Sequence, residues 1–318
     1  MSMKLAFLLP ALFLAFPHGH AGAAPFEPSV LEALQPPAEH GAFHSGWISL
    51  GLKAADLEEK QVSPGHITDV GEAQMQLYFP AGWKPQDRRA ALCIFPGGGY
   101  AIQAIEKEGG HIARWAAEHG MVGVVVKYRV SGSNDAVGRF PGPLLDARQA
   151  LRVTRRHASA LGVDPHRIGV MGFSAGGHLA ATLSVRYDYP LYPPQDAVDA
   201  FSARPDFTVL CYSVIDMGEY HHEWSRRLLL GDAPSDAEIA FYSPQLHVTA
   251  DTPPTFLWHT AQDATVPAIN SMLYAAALQK CGVPYELHIF PYGQHGKALA
   301  LDDASVGQWR TLFQNWLD

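Results

Sequence analysis

"VMGFSAGGH", Val170–His178, sets a single serine between glycines, in the order Gly172-Phe173-Ser174-Ala175-Gly176. The apolar run Ile168–Met171 leads into it, and a segment rich in alanine and leucine leads out. The run reads as a buried strand and the exit as a helix. Strand, sharp turn and helix form the setting that a G-x-S-x-G elbow requires. In such a turn the serine backbone is strained, and a side chain at Gly172 or Gly176 would clash. The corner projects the serine Oγ off the carboxyl edge of a sheet, at a helix N-terminus whose dipole favours negative charge. A plainer reading has the glycines doing no more than packing a helix closely on a strand.

On either side of this corner the same alternation continues. "AQMQLYF" (73–79) has the period of a half-buried strand, and "AALCIFPGGGY" (90–100) is a continuous apolar run ending in glycines. A helical stretch around His111–His119, the strand "MVGVVVKYRV" and a helix from about Pro143 to Leu161 come before "RIGVMGF". After it the pattern predicts a helix from Ser174 to about Arg186, strands "FTVLCYS" and "PTFLWHT", and a helix over Val266–Lys280. Strand "YELHIF" and a closing helix over Asp303–Leu317 complete the series. Apolar strands separated by helices imply an α/β fold: a mostly parallel central sheet with helices on both faces, in one domain over residues 66–318. The segment Asp216–Thr252 interrupts the alternation with charged, aromatic and histidine residues. It is expected to form a small cap-like insertion, or pocket rim, beside the strand ends.

The first 65 residues read differently. Lys4 precedes an apolar run from Leu5 to Phe16, and Ala21-Gly22-Ala23 follows. That is the pattern of a secretory signal peptide over residues 1–23, too short for a transmembrane helix, so the mature chain is expected in the periplasm or outside the cell. Residues 24–65 are rich in proline, alanine and histidine and are expected to be an irregular extension, with Trp47 as a packing anchor.

Of the 318 residues, 47% are apolar and 17% charged, with a formal net charge of -8, which argues against nucleic acid or an anionic membrane as partner. Cys93 and Cys211 lie inside strand-like runs and read as buried free thiols rather than a disulfide framework. The chain has no H-E-x-x-H, C-x-x-C or G-x-x-x-x-G-K-[ST], and "GFSAGG" lacks the G-x-G-x-x-G spacing. Neither a metal nor a nucleotide cofactor is expected.

A serine hydroxyl needs a base to remove its proton and donors to stabilise the oxyanion it creates. The three glycines Gly97–Gly99 can bring backbone N–H groups close to such an intermediate, and the Ala175 N–H follows the serine directly. In the order Ser…Asp/Glu…His, "YGQHGKA" places His295 on a loop after the last strand. His259 and His288 lie within strands and read as structural, and His178 reads as a packed histidine one turn after the serine. His221 and His222 are adjacent and do not share a face as ligands would. For the acid, Asp263 in "HTAQDATVP" is preferred, with Asp216 the rival and a helix N-cap the plainer role for Asp263.

Over roughly residues 66–318 the chain resembles α/β-hydrolase esterases, and most of all the branch of bifunctional acetylxylan/feruloyl esterase-like proteins. The blocks "FPGGGY", "GFSAGGHLAATL", "RRLLLGD", "PPTFLWHTAQDATVP" and "ELHIFPYGQHG" stand in that branch's order. The resemblance implies Ser174 as nucleophile, Asp263 as acid and His295 as base, with an oxyanion hole from the Gly98, Gly99 and Ala175 amides. Broader lipase and esterase families carry histidine ahead of the glycines; Pro96 stands here, in the form associated with the carbohydrate-esterase branch. The implied partner is an ester substrate, acetylated plant polysaccharide or oligosaccharide such as xylan. A feruloyl esterase or short-chain carboxylesterase is the near alternative. A serine peptidase or amidase, or a non-catalytic polysaccharide-binding module presenting Trp224, Tyr220 and Tyr242, is the more distant one.

Overall fold

The structure, a computed structural model, describes residues 43–53, 57–132, 138–194 and 197–318, so the expected signal peptide lies outside the described residues. In chain order the strands are β1 (Phe43–His44), β2 (Ile48–Lys53), β3 (Lys60–Ser63), β4 (His66–Thr68), β5 (Glu72–Phe79), β6 (Arg89–Phe95), β7 (Val122–Lys127), β8 (Val163–Phe173), β9 (Thr208–Cys211), β10 (Thr255–Thr260) and β11 (Tyr285–Phe290). The helices are α1 (His111–Glu118), α2 (Gly142–Arg156), α3 (Ala175–Arg186), α4 (Glu223–Leu230), α5 (Asp236–Phe241), α6 (Ile269–Cys281) and α7 (Trp309–Leu317). A π-helical turn, Ile105–Gly110, runs directly into α1.

Nine strands form one sheet in the order β1-β5-β7-β6-β8-β9-β10-β11, with β2 also paired to β5. From β7 to β11 every neighbouring pair is parallel, whereas β1, β2 and β7 all pair antiparallel with β5. The chain passes from β6 to β7 on one side and then crosses back to β8 on the other. This reversal opens a crevice at the carboxyl ends of β6 and β8, where α/β sheets bind their ligands. The register pairs Phe95 with Gly172, which sets Pro96–Gly99 beside Phe173 and Ser174.

Alternate residues of β6 feed two cores. Leu92 and Ile94 join Ile112 and Trp115 of α1 with Trp309 and Phe313 of α7. Cys93 and Phe95 join Leu144 and Leu151 of α2, Leu179 and Leu183 of α3, and Tyr274 and Leu278 of α6. Trp258 of β10 stacks on Trp309 with ring centroids 5.3 Å apart. Burying each large apolar side chain contributes about 1.5–3 kcal/mol, so the strands that carry the site are anchored on both faces. Cys93 and Cys211 are buried and free.

Three expectations need correction. Part of the extension is ordered into strands: β1 and β2 extend the sheet, and β3 pairs with β4 as a hairpin. Their period is hard to read because they are short and β2 carries a register shift between Ser49 and Lys53, with Gly51 at φ 74°. Trp47 is 38% exposed rather than a buried anchor, and the Lys127 ammonium lies 4.3 Å from its ring centroid. The closing helix starts later than expected, because the Asp303 carboxylate accepts the Ser305 and Val306 N–H groups and Val306–Gln308 forms a 3-10 turn ahead of α7.

Candidate active site

Ser174 sits between β8 and α3 with φ 52° and ψ −118°, outside the ordinary basins of an L-residue. Such a conformation costs about 1–3 kcal/mol and persists where the surroundings hold it. Here the Ser174 N–H donates to the Cys211 carbonyl at 3.1 Å, and its own carbonyl accepts the Val214 and His178 N–H groups. A Cβ on Gly172 would strike the Gly176 carbonyl, and one on Gly176 would strike the Phe95 carbonyl. The corner can turn this tightly only with glycine at both places.

His295 lies on the loop after β11. Its Nε2 is 2.8 Å from the Ser174 Oγ, and its Nδ1 is 2.6 Å from the Asp263 Oδ2. With Asp263 ionised, Nδ1 carries the proton and donates, leaving Nε2 to accept from the serine hydroxyl. The other Asp263 oxygen, Oδ1, accepts the N–H groups of Thr265 and Val266, each at 2.9 Å. Asp263 is thus not the helix N-cap, a position held by Ala268 at the start of α6; one oxygen instead closes the turn ahead of the helix and the other faces His295. Burial works to raise the Asp263 carboxyl. The hydrogen-bonding contacts of His259 and His295, attraction to His295 and the Val266 amide outweigh it and hold the group well below the usual carboxylate range. His259 stands behind this aspartate, fully buried, with Nε2 donating to the Val266 carbonyl and Nδ1 accepting from the Ser271 hydroxyl.

The glycine loop after β6 faces the serine from the other side. The Gly97 N–H is already taken by the Glu108 Oε2 at 2.8 Å. Among the described residues no protein acceptor takes the amides of Gly98, Gly99 or Ala175. Gly98 has φ 137°, and a Cβ there would collide with the Ile102 carbonyl. The loop therefore depends on glycine to present its amides.

The remaining sequence candidates lie elsewhere. Asp216 does not reach His295; its carboxylate accepts the Tyr220 N–H and the Gln245 amide, both at 2.9 Å, and ties the insertion to itself. His178 is buried, with Nδ1 accepting from the Tyr100 hydroxyl and Nε2 donating to the Tyr242 carbonyl; burial pushes it down to about 4. His288 pairs with Glu286 on β11. Tyr242 is buried and offers no platform, whereas Trp224 is 56% exposed. The segment 216–252 folds into α4, α5 and a 3-10 turn at Pro244–Leu246. A Cβ at Gly99 would lie 3.8 Å from the His222 ring and 3.9 Å from the Trp224 Cβ, so this segment forms a rim over the glycine loop.

His222, Glu108 and Tyr212 were not legible as site residues. Adjacency to His221 hides His222 in the sequence, yet it caps α4 through Ser225 and sits against Gly99. Glu108 and Tyr212 meet across 104 residues of sequence, and no local spacing announces such a pair. Glu108 is one of three charged residues in the turn Ile105–Gly110, with Glu106 and Lys107, so its sequence neighbourhood does not single it out.

Together, the switched parallel sheet, the strained serine corner and the Ser174–His295–Asp263 chain of contacts are the features of an α/β hydrolase. Comparison with known proteins narrows the class. The BD-FAE family model matches residues 75–278, and the chain belongs to that family of esterases. A structure of the acetyl ester-xyloside bifunctional hydrolase from Caldicellulosiruptor lactoaceticus is similar, with TM-score 0.75 and 39% identity over 85% of this chain and 94% of that one. The acetylxylan esterase of Xylanibacter ruminicola is 33% identical over 80% of this chain and 49% of its own length. Endo-1,4-beta-xylanase B of Butyrivibrio fibrisolvens is 36% identical over 69% of this chain and 34% of its own length. This chain thus spans half or less of the length of those two curated relatives.

Proposed function

We propose that this protein is an exported serine carboxylic ester hydrolase that removes acetyl groups from plant-wall carbohydrate such as xylan, through an acyl-serine intermediate. The observation that carries the reading is the contact chain Asp263–His295–Ser174, at 2.6 and 2.8 Å, beside the unclaimed amides of Gly98, Gly99 and Ala175. Ser174 attacks the ester carbonyl as His295 takes its proton at Nε2, and Asp263 holds the tautomer and stabilises the imidazolium without taking a proton itself. The three amides receive the oxyanion; loss of one such donor typically costs about 2.7–4 kcal/mol of barrier. His295 passes the proton to the departing sugar oxygen, which leaves as the hydroxyl; water then attacks the acyl-enzyme with His295 again as base, acetate is released and the proton returns to the Ser174 Oγ. The names of the relatives, an acetylxylan esterase and an acetyl ester-xyloside hydrolase, support acetyl xylan as substrate. The signal-like stretch over residues 1–23 supports export, which brings the enzyme to a polymer too large to enter a cell.

The test is acetate release from acetylated xylan, alongside p-nitrophenyl acetate and feruloyl esters. Wild-type protein is expected to release acetate and Ser174→Ala to release none above background. Retained turnover in the variant would remove the mechanism, and a preference for feruloyl esters would move the substrate.

A further inference from the structure

Glu108 is a buried carboxylate in the π-helical turn between the glycine loop and α1, and the steps above leave it without a role. A buried carboxylate survives only where donors meet its oxygens. Its two oxygens serve different parts of the site. Oε2 accepts the Gly97 N–H at 2.8 Å, while Oε1 accepts the Tyr212 hydroxyl at 2.6 Å. The Tyr212 oxygen accepts in turn the Ala298 N–H at 3.0 Å, three residues beyond His295 on the same loop. The tyrosine ring packs edge-on against the His295 imidazole, with centroids 4.9 Å apart and planes at 72°. Tyr212 itself has φ 39° and follows Cys211, whose carbonyl takes the Ser174 N–H.

The glycine loop is wedged in the same way. A Cβ on Gly97 would stand 2.7 Å from the Glu108 Oε2 and 3.0 Å from the Ser174 Cβ, so the loop backbone runs in contact between carboxylate and serine. Because Glu108 claims the first amide of the loop, the next two remain as donors for a ligand. We propose that Glu108 is a positioning residue which, with Tyr212 as relay, locks the Gly98–Gly99 amides and His295 to Ser174 as one rigid unit. Base and oxyanion donors must hold their places together in the transition state, and one buried carboxylate supports both loops. This inference rests on the serine-hydrolase reading of the site.

The experiment compares Glu108→Gln, Tyr212→Phe and the double variant on p-nitrophenyl acetate, with rates taken per folded molecule by circular dichroism and Ser174→Ala as control. Glutamine cannot accept from both loops at once, and phenylalanine keeps the ring while cutting the relay. Glu108→Gln is expected to lower kcat at least tenfold while KM moves less than threefold. Tyr212→Phe is expected to lower kcat less, and the double variant to match Glu108→Gln. Wild-type kcat in both single variants, or losses that multiply in the double variant, would overturn the relay. If Glu108→Gln fails to fold, Tyr212→Phe decides: reduced kcat at unchanged KM supports the inference, and wild-type kcat overturns it. An active Ser174→Ala would instead remove the reading underneath, which keeps the two failures distinct.

Discussion

The floor of the site and its rim are built by different means. The floor consists of the Ser174 corner and the Gly97–Gly99 loop, held at neighbouring strand ends by backbone hydrogen bonds and by Gly97, Gly98, Gly172 and Gly176, where a Cβ would collide. The rim, residues 216–252, is two short helices and a 3-10 turn gathered by side chains: Asp216 on Gln245 and the Tyr220 amide, and Ser243 on the Met217 amide. His178 joins them, since it stands on α3 directly behind the serine and donates to the Tyr242 carbonyl of the rim. Backbone geometry makes the floor rigid, while the rim can differ in shape without disturbing the chemistry below it. Floor variants should therefore change rate, and rim variants should change stability or substrate choice.

The sharpest contrast is between two aspartates. Asp263→Asn is expected to lower kcat by about 10⁴, as when a triad histidine is left in the wrong tautomer. Asp216→Asn, in the rim, should keep kcat within about threefold and lower stability by about 1–2 kcal/mol, the cost of a buried hydrogen-bonding group left unpaired. Ester turnover and urea unfolding of both variants check this. Equal losses of turnover would erase the distinction between floor and rim.

Next in size is Gly98→Ala. Its Cβ meets the Ile102 carbonyl and its φ of 137° suits only glycine, so the loop must move. The expected loss is about 10²–10³ in kcat, the scale of one oxyanion donor. A variant with near wild-type kcat would show that these amides do not receive the oxyanion.

His178 supplies a pH test of the join. Burial pushes it down to about 4 in the folded protein, below the ordinary imidazole value of 6.5, so the unfolded chain binds the proton more readily. The stability this contributes is present above pH 6.5 and is lost as pH falls from there to 4, about 3 kcal/mol in all. The loss belonging to Asp263 falls at lower pH, because its carboxyl is depressed below the ordinary aspartate value of 3.8. Urea midpoints should decline between pH 6.5 and 4 in the wild type and less steeply in His178→Gln. Parallel slopes would contradict the neutral buried histidine.

The smallest expected effect belongs to the exposed Trp224, whose Cβ overhangs Gly99. A sugar ring packed on this indole is taken on the scale of an aromatic pair, about 0.5–1.5 kcal/mol. Trp224→Ala should lower kcat/KM on acetylated xylan about two- to tenfold more than on p-nitrophenyl acetate. An equal change on both esters would exclude this edge of the rim from sugar binding.

The same division explains what could be read from the sequence. Strands β6 to β10 are legible because parallel strands buried on both faces are continuous apolar runs, and β11 is legible from its short apolar run, but α4 and α5 inside the insertion are not. The serine corner, the glycine loop, His295 and Asp263 were legible because tight turns and loop-borne polar residues leave local patterns. Helix starts at α6 and α7 slipped by a few residues, where Asp263 and Asp303 cap turns ahead of the helix. The strands β1–β3 escape because β1 and β3 are short and both β2 and β3 carry a register shift in their pairings. Glu108, Tyr212 and His222 escaped because their importance lies in partners far along the chain.

Covalent labelling with an active-site phosphonate, followed by mass spectrometry of the digested protein, tests the centre of the account most directly. One equivalent should attach at Ser174, in step with loss of esterase activity, and Ser174→Ala should remain unlabelled. Label on a different residue, or full turnover in protein blocked at Ser174, would contradict it.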